Sequence, residues 1–132
     1  MAAVDISTVH NEARLTATRD FLDAGASAGK LQVYTSTRPA PGAAPVGGTM
    51  LVEITLNDPC GSVAAGVLTL TQTVEATAVA SGAPTWARFI TGGGAWAIDC
   101  DAGGPGSGQP VIVSDASILA GGKVSLLSGV LG

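Results

Sequence analysis

The sequence has very few chemically reactive side chains. Its 132 residues include one histidine and two cysteines, with six lysines and arginines against ten aspartates and glutamates. An enzyme gathers several titratable groups in one pocket, and this chain has few to gather. The composition therefore argues against an enzyme, and we predict no catalytic residue, no cofactor and no metal site.

Basic clusters and long apolar runs are scarce as well. The net charge is −4, and the basic residues are scattered, so no basic stripe predicts contact with nucleic acid. No run of about 18 apolar residues predicts a membrane span, and the first residues lack the basic and apolar regions of a signal peptide. We expect a protein made in the cytoplasm, with neither nucleic acid nor a membrane as a direct partner.

Aromatic residues make up only 4% of a chain that is 46% hydrophobic and contains 19 glycines. The length suits a single domain, and its core must be built from aliphatic side chains. Such a core is thin per residue, so neighbouring subunits are expected to contribute to stability. Cys60 and Cys100 are expected to be free, buried thiols, although a disulfide stays open if their strands are adjacent.

Residues 1–10 are interpreted as an N-terminal arm, either frayed or docked on a neighbouring subunit. Val4, Ile6 and Val9 are its apolar residues and become candidate interface residues. His10, the only histidine, lies in this arm near Ser7, and a flexible segment cannot hold a catalytic geometry. We therefore interpret His10 as a surface residue.

Residues 11–24 form the best helix candidate. Asn11 can cap the helix, Leu15 and Leu22 lie on one face, and Gly25 is placed to end the helix in a left-handed conformation. We predict one domain over residues 11–132 that includes this helix.

From residue 30 onward, apolar residues alternate with polar ones, as in strands. A turn is predicted at residues 57–59, and a long strand, with Gly66 as its bulge, over residues 63–74. About seven or eight strands at regular spacing predict an all-β fold. We expect an antiparallel β-sandwich, of jelly-roll or immunoglobulin-like type, with one N-terminal helix.

A loop rich in proline and glycine interrupts the strands at residues 37–48. It is a candidate contact element, and Arg38 and Pro39 are its candidate interface residues. Two glycine-rich runs, 92–94 and 103–108, lack the following helix and lysine of a phosphate-binding loop, so we interpret them as turns.

The clearest hairpin joins residues 85–91 to residues 95–101. Trp86 shares a face with Arg88 on the first strand. Trp86 and Trp96 are candidate anchors of the core or of a protein interface, and stacking on a sugar or a base remains an alternative.

On the second strand of this hairpin, the alternation places Trp96, Ile98 and Cys100 on one face. Asp99 and Asp101 lie on the opposite face, about 7 Å apart. This carboxylate pair suits either Ca²⁺ binding or simple solvation of a strand, and we favour solvation.

Several segments of the chain resemble small virion-associated proteins encoded by tailed bacteriophages. These segments are residues 15–34, 37–39, 51–60, 84–89 and 95–101. The resemblance extends over most of residues 15–131 and carries no active-site motif. It implies a structural protein of the phage particle without enzymatic activity.

Within that group, the resemblance favours a capsid cement protein, which is of similar size and has a jelly-roll fold. Such a protein clamps neighbouring major capsid subunits on the head surface and stabilises the DNA-filled head, so its expected partners are the major capsid protein, itself, or both. A tail or neck component is the alternative within this group. A carbohydrate-binding module that uses Trp86 or Trp96 with Asp99 and Asp101 is the alternative from a different class.

Overall fold

The computed structural model describes residues 5–45, 48–72 and 75–131. Within these ranges one helix, α1 (Thr8–Asp23), precedes nine strands. The strands are β1 (Lys30–Tyr34), β2 (Met50–Ala64), β3 (Val67–Gln72), β4 (Ala76–Thr77), β5 (Trp86–Ile90), β6 (Trp96–Gly103), β7 (Val111–Val113), β8 (Lys123–Val124) and β9 (Leu126–Leu131). The prediction of a mostly β fold with one N-terminal helix is confirmed.

The main sheet closes on itself. Its seven described strands follow the order β1-β2-β3-β9-β7-β6-β5, and β5 pairs with β1 to complete a barrel. The prediction of a sandwich, whether jelly-roll or immunoglobulin-like, is therefore wrong. The expectation of purely antiparallel pairing is also wrong, because β6 and β7 run parallel. Alternating side chains occur in sandwiches and barrels alike, and closure depends on which distant strands pair.

Strand β2 is long enough to join two parts of the barrel wall. It pairs with β1 up to Thr55 and with β3 mainly from Gly61 onward, and its register with β3 shifts between Leu56 and Gly61. The turn predicted at residues 57–59 is wrong, because the strand continues through Pro59 at this irregularity. A residue without an N–H is tolerated where ladder pairing is interrupted.

The hairpin between β2 and β3 turns at Ala65 and Gly66, where φ is 52° and 77°. The long strand predicted over residues 63–74 is therefore wrong. The turn separates residues 63 and 64, which end β2, from β3, and residues 73 and 74 lie outside the described part of the chain. Gly66 lies in a tight turn rather than in a bulge.

The barrel interior is mainly aliphatic, as the composition predicts. Leu31 and Val33 of β1 and Ala87 and Phe89 of β5 face it, each with no exposed surface. Leu22 of α1 packs against the same core.

The helix begins at Thr8, three residues before the predicted start. Ser7 caps it, since its Oγ accepts a hydrogen bond from the His10 N–H at 3.1 Å. Asn11 instead donates through Nδ2 to the Gly66 carbonyl oxygen at 2.9 Å. The second half of the predicted arm thus includes the first turn of α1, while Val4 lies outside the described residues.

The turn between β5 and β6 holds the other end of the helix. The N–H groups of Gly92 and Gly93 donate to the carbonyl oxygens of Leu22 and Ala24 at 3.2 and 3.0 Å. A Cβ atom at Gly92 would stand 1.8 Å from the Ser27 carbonyl oxygen. Only glycine fits this close approach, so the run at residues 92–94 has a structural role as a turn.

Candidate functional site

The outer face of β1, β5 and β6 carries an unusual group of side chains for an aliphatic protein. The register aligns them in two rows across the three strands. The rows are Tyr34, Trp86 and Asp101, and next to them Gln32, Arg88 and Asp99. The predicted placement of Trp86 with Arg88, and of Asp99 with Asp101, is confirmed.

The aromatic part of this face is stacked and buried. The rings of Tyr34 and Trp86 lie 4.3 Å apart between centroids, at an interplanar angle of 10°. The Arg88 guanidinium carbon lies 5.3 Å from the Trp86 ring centroid. Trp86 is only 1% exposed, so it is an anchor within the chain. Burial raises the pKa of the Tyr34 hydroxyl.

A buried ion pair lies beside the stacked rings. Arg88 donates from Nε and Nη2 to the two carboxylate oxygens of Asp99 at 2.7 and 3.0 Å. The side chains are 9% and 5% exposed. Arg88 Nη2 also donates to the Ala43 carbonyl oxygen at 2.7 Å. The hydrogen bond to Asp99 raises the pKa of Arg88, and the pair ties two strands to the loop above them.

Asp99 accepts two further hydrogen bonds. The Gly42 N–H donates to it at 3.2 Å, and Trp96 Nε1 donates at 3.1 Å. Burial acts to raise the pKa of Asp99, but the bonds from Arg88, Gly42 and Trp96 together hold it below the ordinary value. With four donors around its two oxygens, Asp99 has little capacity left for another ligand.

Asp101 lies on the same face and has a different environment. It pairs with Arg38 at 3.4 Å, and the two side chains are 55% and 44% exposed. Among the described residues, no group of three or more His, Cys, Asp or Glu side chains is arranged to hold a metal ion. The calcium alternative for Asp99 and Asp101 gains no support from this geometry.

The loop at residues 37–45, called the proline loop below, covers the buried ion pair. Gly42 takes a φ of 75°, and a Cβ built on it would stand 3.1 Å from two atoms of the Trp96 six-membered ring. The loop backbone therefore lies directly against this indole. A side chain at position 42 would have to displace the ring or the loop.

A groove of about 460 Å³ lies between the proline loop and β6. Its lining residues are Arg38, Pro39, Ala40, Pro41, Trp96 and Asp99. Trp96 forms an accessible part of its wall, since the residue is 44% exposed. The groove thus combines an aromatic ring, rigid prolines and charged side chains.

The predicted face of Trp96 is wrong. Ile98 pairs with Phe89 and Trp96 pairs with Ile90, so the register shifts by one residue at Ala97. A bulge of this kind turns the next side chain to the other side of the strand. Trp96 therefore lies beside Asp99 instead of with Cys100 and Ile98.

The candidate interface residues separate into groups. Arg38, Pro39 and Trp96 come together in the groove, while Trp86 is buried beside Tyr34 and Arg88. Ile6 and Val9 lie at the start of α1 and are 36% and 78% exposed. His10 is exposed, as expected for a surface residue.

The two cysteines are free and buried, as predicted. Burial, followed by the nearby Asp23 carboxylate, raises the pKa of Cys60 to about 12. Burial also raises the pKa of Cys100 to about 11. Both groups therefore stay protonated near neutral pH and are poor nucleophiles.

The sequence interpretation did not identify the pairing of Arg88 with Asp99 or the loop residues that bind them. One signal was present: Arg88 lies four residues before the glycine turn of the hairpin and Asp99 lies five residues after it, which brings them close to cross-strand register. No pattern in the neighbouring sequence indicates that Gly42 and Ala43 fold back onto this pair.

Among the described residues, no helix combines the length and hydropathy needed to cross a membrane. A scan against protein-family models finds no match to this chain, and neither do searches of curated proteins and of solved structures.

Proposed function

We propose that this chain is a non-enzymatic structural protein of a phage particle, acting as a cement protein on the head. The proposal rests on the resemblance of its segments to small virion proteins and on the character of its surface. It names the major capsid protein as the partner and the virion head as the location. Further copies of the chain are a second partner.

The observation that carries the proposal is the exposure of large apolar side chains on a chain of low charge. The most exposed are Val9 at 78%, Leu119 at 68%, Val79 at 66%, Leu127 at 57% and Phe21 at 53%. Burying such side chains against a partner stabilises the complex by about 25 cal/mol for each Å² of apolar surface. Where such side chains lie together, they suit packing against a partner protein.

Val79 and Leu119 are the best-defined part of this surface, and we call them the apolar pair. They lie on two segments held side by side, since the backbones of Gly82 and Ile118 exchange hydrogen bonds of 2.8 and 2.9 Å. Their neighbouring backbone is therefore fixed while their side chains remain open to solvent. Since this backbone is already ordered, covering the pair costs mainly the entropy of the two side chains.

The mechanism is a shift of an assembly equilibrium. A protein that binds only the expanded shell favours that shell over separated subunits. The buried pair Arg88 and Asp99 is used inside the chain, so adhesion depends mainly on apolar packing. Many copies around a shell add their small contributions.

A binding assay on purified expanded heads tests the proposal. The wild-type chain is expected to co-sediment with the heads saturably and to reduce the loss of DNA on mild heating. The double variant Val79→Ser/Leu119→Ser is expected to bind at least about tenfold more weakly. Asp20→Ser, on the exposed side of α1, is the matched control and is expected to bind as the wild type does.

Electron microscopy of the particle supplies the location. Density for the chain on the head surface, between capsid subunits, is the expected result. Density on the tail or neck would replace the cement assignment with that of a tail or neck component. Absence of the chain from both would overturn the virion assignment.

A further inference from the structure

We propose that the groove between the proline loop and Trp96 binds a neutral saccharide chain. This inference rests on the groove alone and is independent of the proposed assembly role. It concerns the isolated protein, so it can be tested without a phage particle.

The charges in and beside the groove are balanced. Asp99 is neutralised by Arg88 through two hydrogen bonds, and Arg38 is paired with Asp101. A ligand with a net charge would find no unpaired counter-charge among these four groups, whereas a neutral ligand needs none. The groove therefore favours an uncharged, hydroxyl-rich molecule over an anion or a cation.

Trp96 supplies a pre-arranged apolar surface. Its Nε1 donates to Asp99 at 3.1 Å, and the Gly42 backbone lies against its six-membered ring. The indole is thus held in place while 44% of the residue stays exposed. A fixed aromatic ring suits the C–H face of a sugar ring, and no ordering of the side chain is needed on binding.

Arg38 and Asp101 supply the polar contacts. They meet at 3.4 Å, and about half of each side chain remains exposed. An arginine has several N–H donors and a carboxylate several acceptor sites, so both retain capacity for sugar hydroxyls. The Asp99 oxygens already accept four hydrogen bonds within the chain, so Asp99 acts as a positioning residue for Trp96.

The walls of the groove favour a preformed site. Pro39 and Pro41 restrict the backbone of the loop, and Ala43 is bound by Arg88 at 2.7 Å. The volume of about 460 Å³ lies within the range common for small-ligand sites. A short segment of a saccharide chain is therefore a suitable occupant.

The two tryptophans allow a test with an internal control. Nitrogen-15 NMR resolves one indole N–H signal for each, and a Trp96→Phe variant assigns them. The probes are maltose, cellobiose and lactose, with glucuronate and an uncharged proline-rich peptide as comparison ligands. We expect saturable shifts at Trp96 with at least one neutral disaccharide, and little change at the buried Trp86.

Two variants test the contacts separately. Trp96→Ala and Arg38→Ala are each expected to weaken disaccharide binding at least about tenfold. Binding to the variants is followed by backbone amide shifts, because Trp96→Ala lacks the indole signal. Leu127→Ala, on the exposed surface of β9, is the control and is expected to bind as the wild type does. Should Trp96→Ala fail to fold, Arg38→Ala decides, because its exposed side chain is not needed for the core.

Three results would overturn the inference. The first is the absence of a saturable Trp96 shift with all three disaccharides at concentrations well above millimolar. The second is a response only to glucuronate or only to the peptide, which would assign the groove to another ligand class. The third is unchanged disaccharide binding in Arg38→Ala. None of these results bears on head binding, so they leave the assembly proposal to its own test.

Discussion

The two faces of the β5–β6 hairpin are built on different principles. The inner face carries Ala87 and Phe89 and packs by apolar contact alone. The outer face carries Trp86 and Arg88, and Arg88 donates a hydrogen bond there to the Ala43 carbonyl oxygen of the proline loop. The inner face is stabilised by close packing of apolar side chains. The outer face is stabilised by hydrogen bonds to a separate segment, the proline loop. The second arrangement leaves an accessible groove at the edge of the loop.

The largest expected effect is on the inner face. Phe89→Ala removes a ring with no exposed surface, so we expect the free energy of unfolding to fall by about 3–5 kcal/mol. Urea denaturation followed by circular dichroism measures it. Phe21→Ala, at a residue 53% exposed, is the matched control, with an expected change within about 0.5 kcal/mol. Similar losses in both variants would contradict the assignment of Phe89 to the core.

The next effect concerns the outer face. Arg88→Met leaves Asp99 buried without its partner, and we expect a loss of about 3 kcal/mol in the free energy of unfolding. Arg38→Met breaks the exposed pair with Asp101 and is expected to cost less than about 1 kcal/mol. The same urea denaturation compares them. Equal costs would mean that the loop does not bury the Arg88 pair in solution.

A smaller effect isolates the contact between the loop and the indole. Gly42→Ala and Gly106→Ala both place a Cβ on a residue of positive φ, 75° and 79°. For that reason each is expected to lower the free energy of unfolding by about 1–2 kcal/mol. Only position 42 has a neighbour in contact, because nothing lies within 4 Å of a Cβ at Gly106. We therefore expect Gly42→Ala to be the more destabilising and to change the Trp96 indole N–H signal. An unchanged Trp96 signal would contradict the packing of Gly42 on the ring.

The outer face is also expected to respond to acid. The folded pKa of Asp99 lies below its unfolded value of about 3.9, so its stabilisation is complete above that pH. It is lost as the pH falls through the folded pKa. Thermal unfolding between neutral pH and acid is expected to show this loss in the wild type, and Asp99→Asn should have a smaller pH dependence. A pH dependence unchanged in Asp99→Asn would assign it to other carboxylates.

Local patterns predicted the hairpin and the shared face of Trp86 and Arg88 because period-two alternation determines both. They failed where a bulge altered the period. The register shift at Ala97 moved Trp96 to the opposite face, and the irregularity after Leu56 concealed the continuation of β2. No single-strand signal distinguishes these bulges from regular strands.

Two further features escaped prediction because they are long-range. The barrel is closed by pairing of β1 with β5 and of β3 with β9, and alternation within a strand is the same in an open sheet. The groove exists because the proline loop returns to Asp99, fifty-seven positions from Gly42 in the chain. The sequence of the loop predicted a break in the sheet, but it did not indicate where the loop would lie.

The glycine turn that links β5 to β6 has a mechanical consequence. Its N–H groups bind the carbonyl oxygens of Leu22 and Ala24, where the helix finishes. A pull on α1 therefore reaches the strands that carry Arg88 and Asp99 through these backbone hydrogen bonds as well as through the packing of Leu22 on the core. The turn is therefore one direct route by which a displacement of α1 reaches the strands beside the groove.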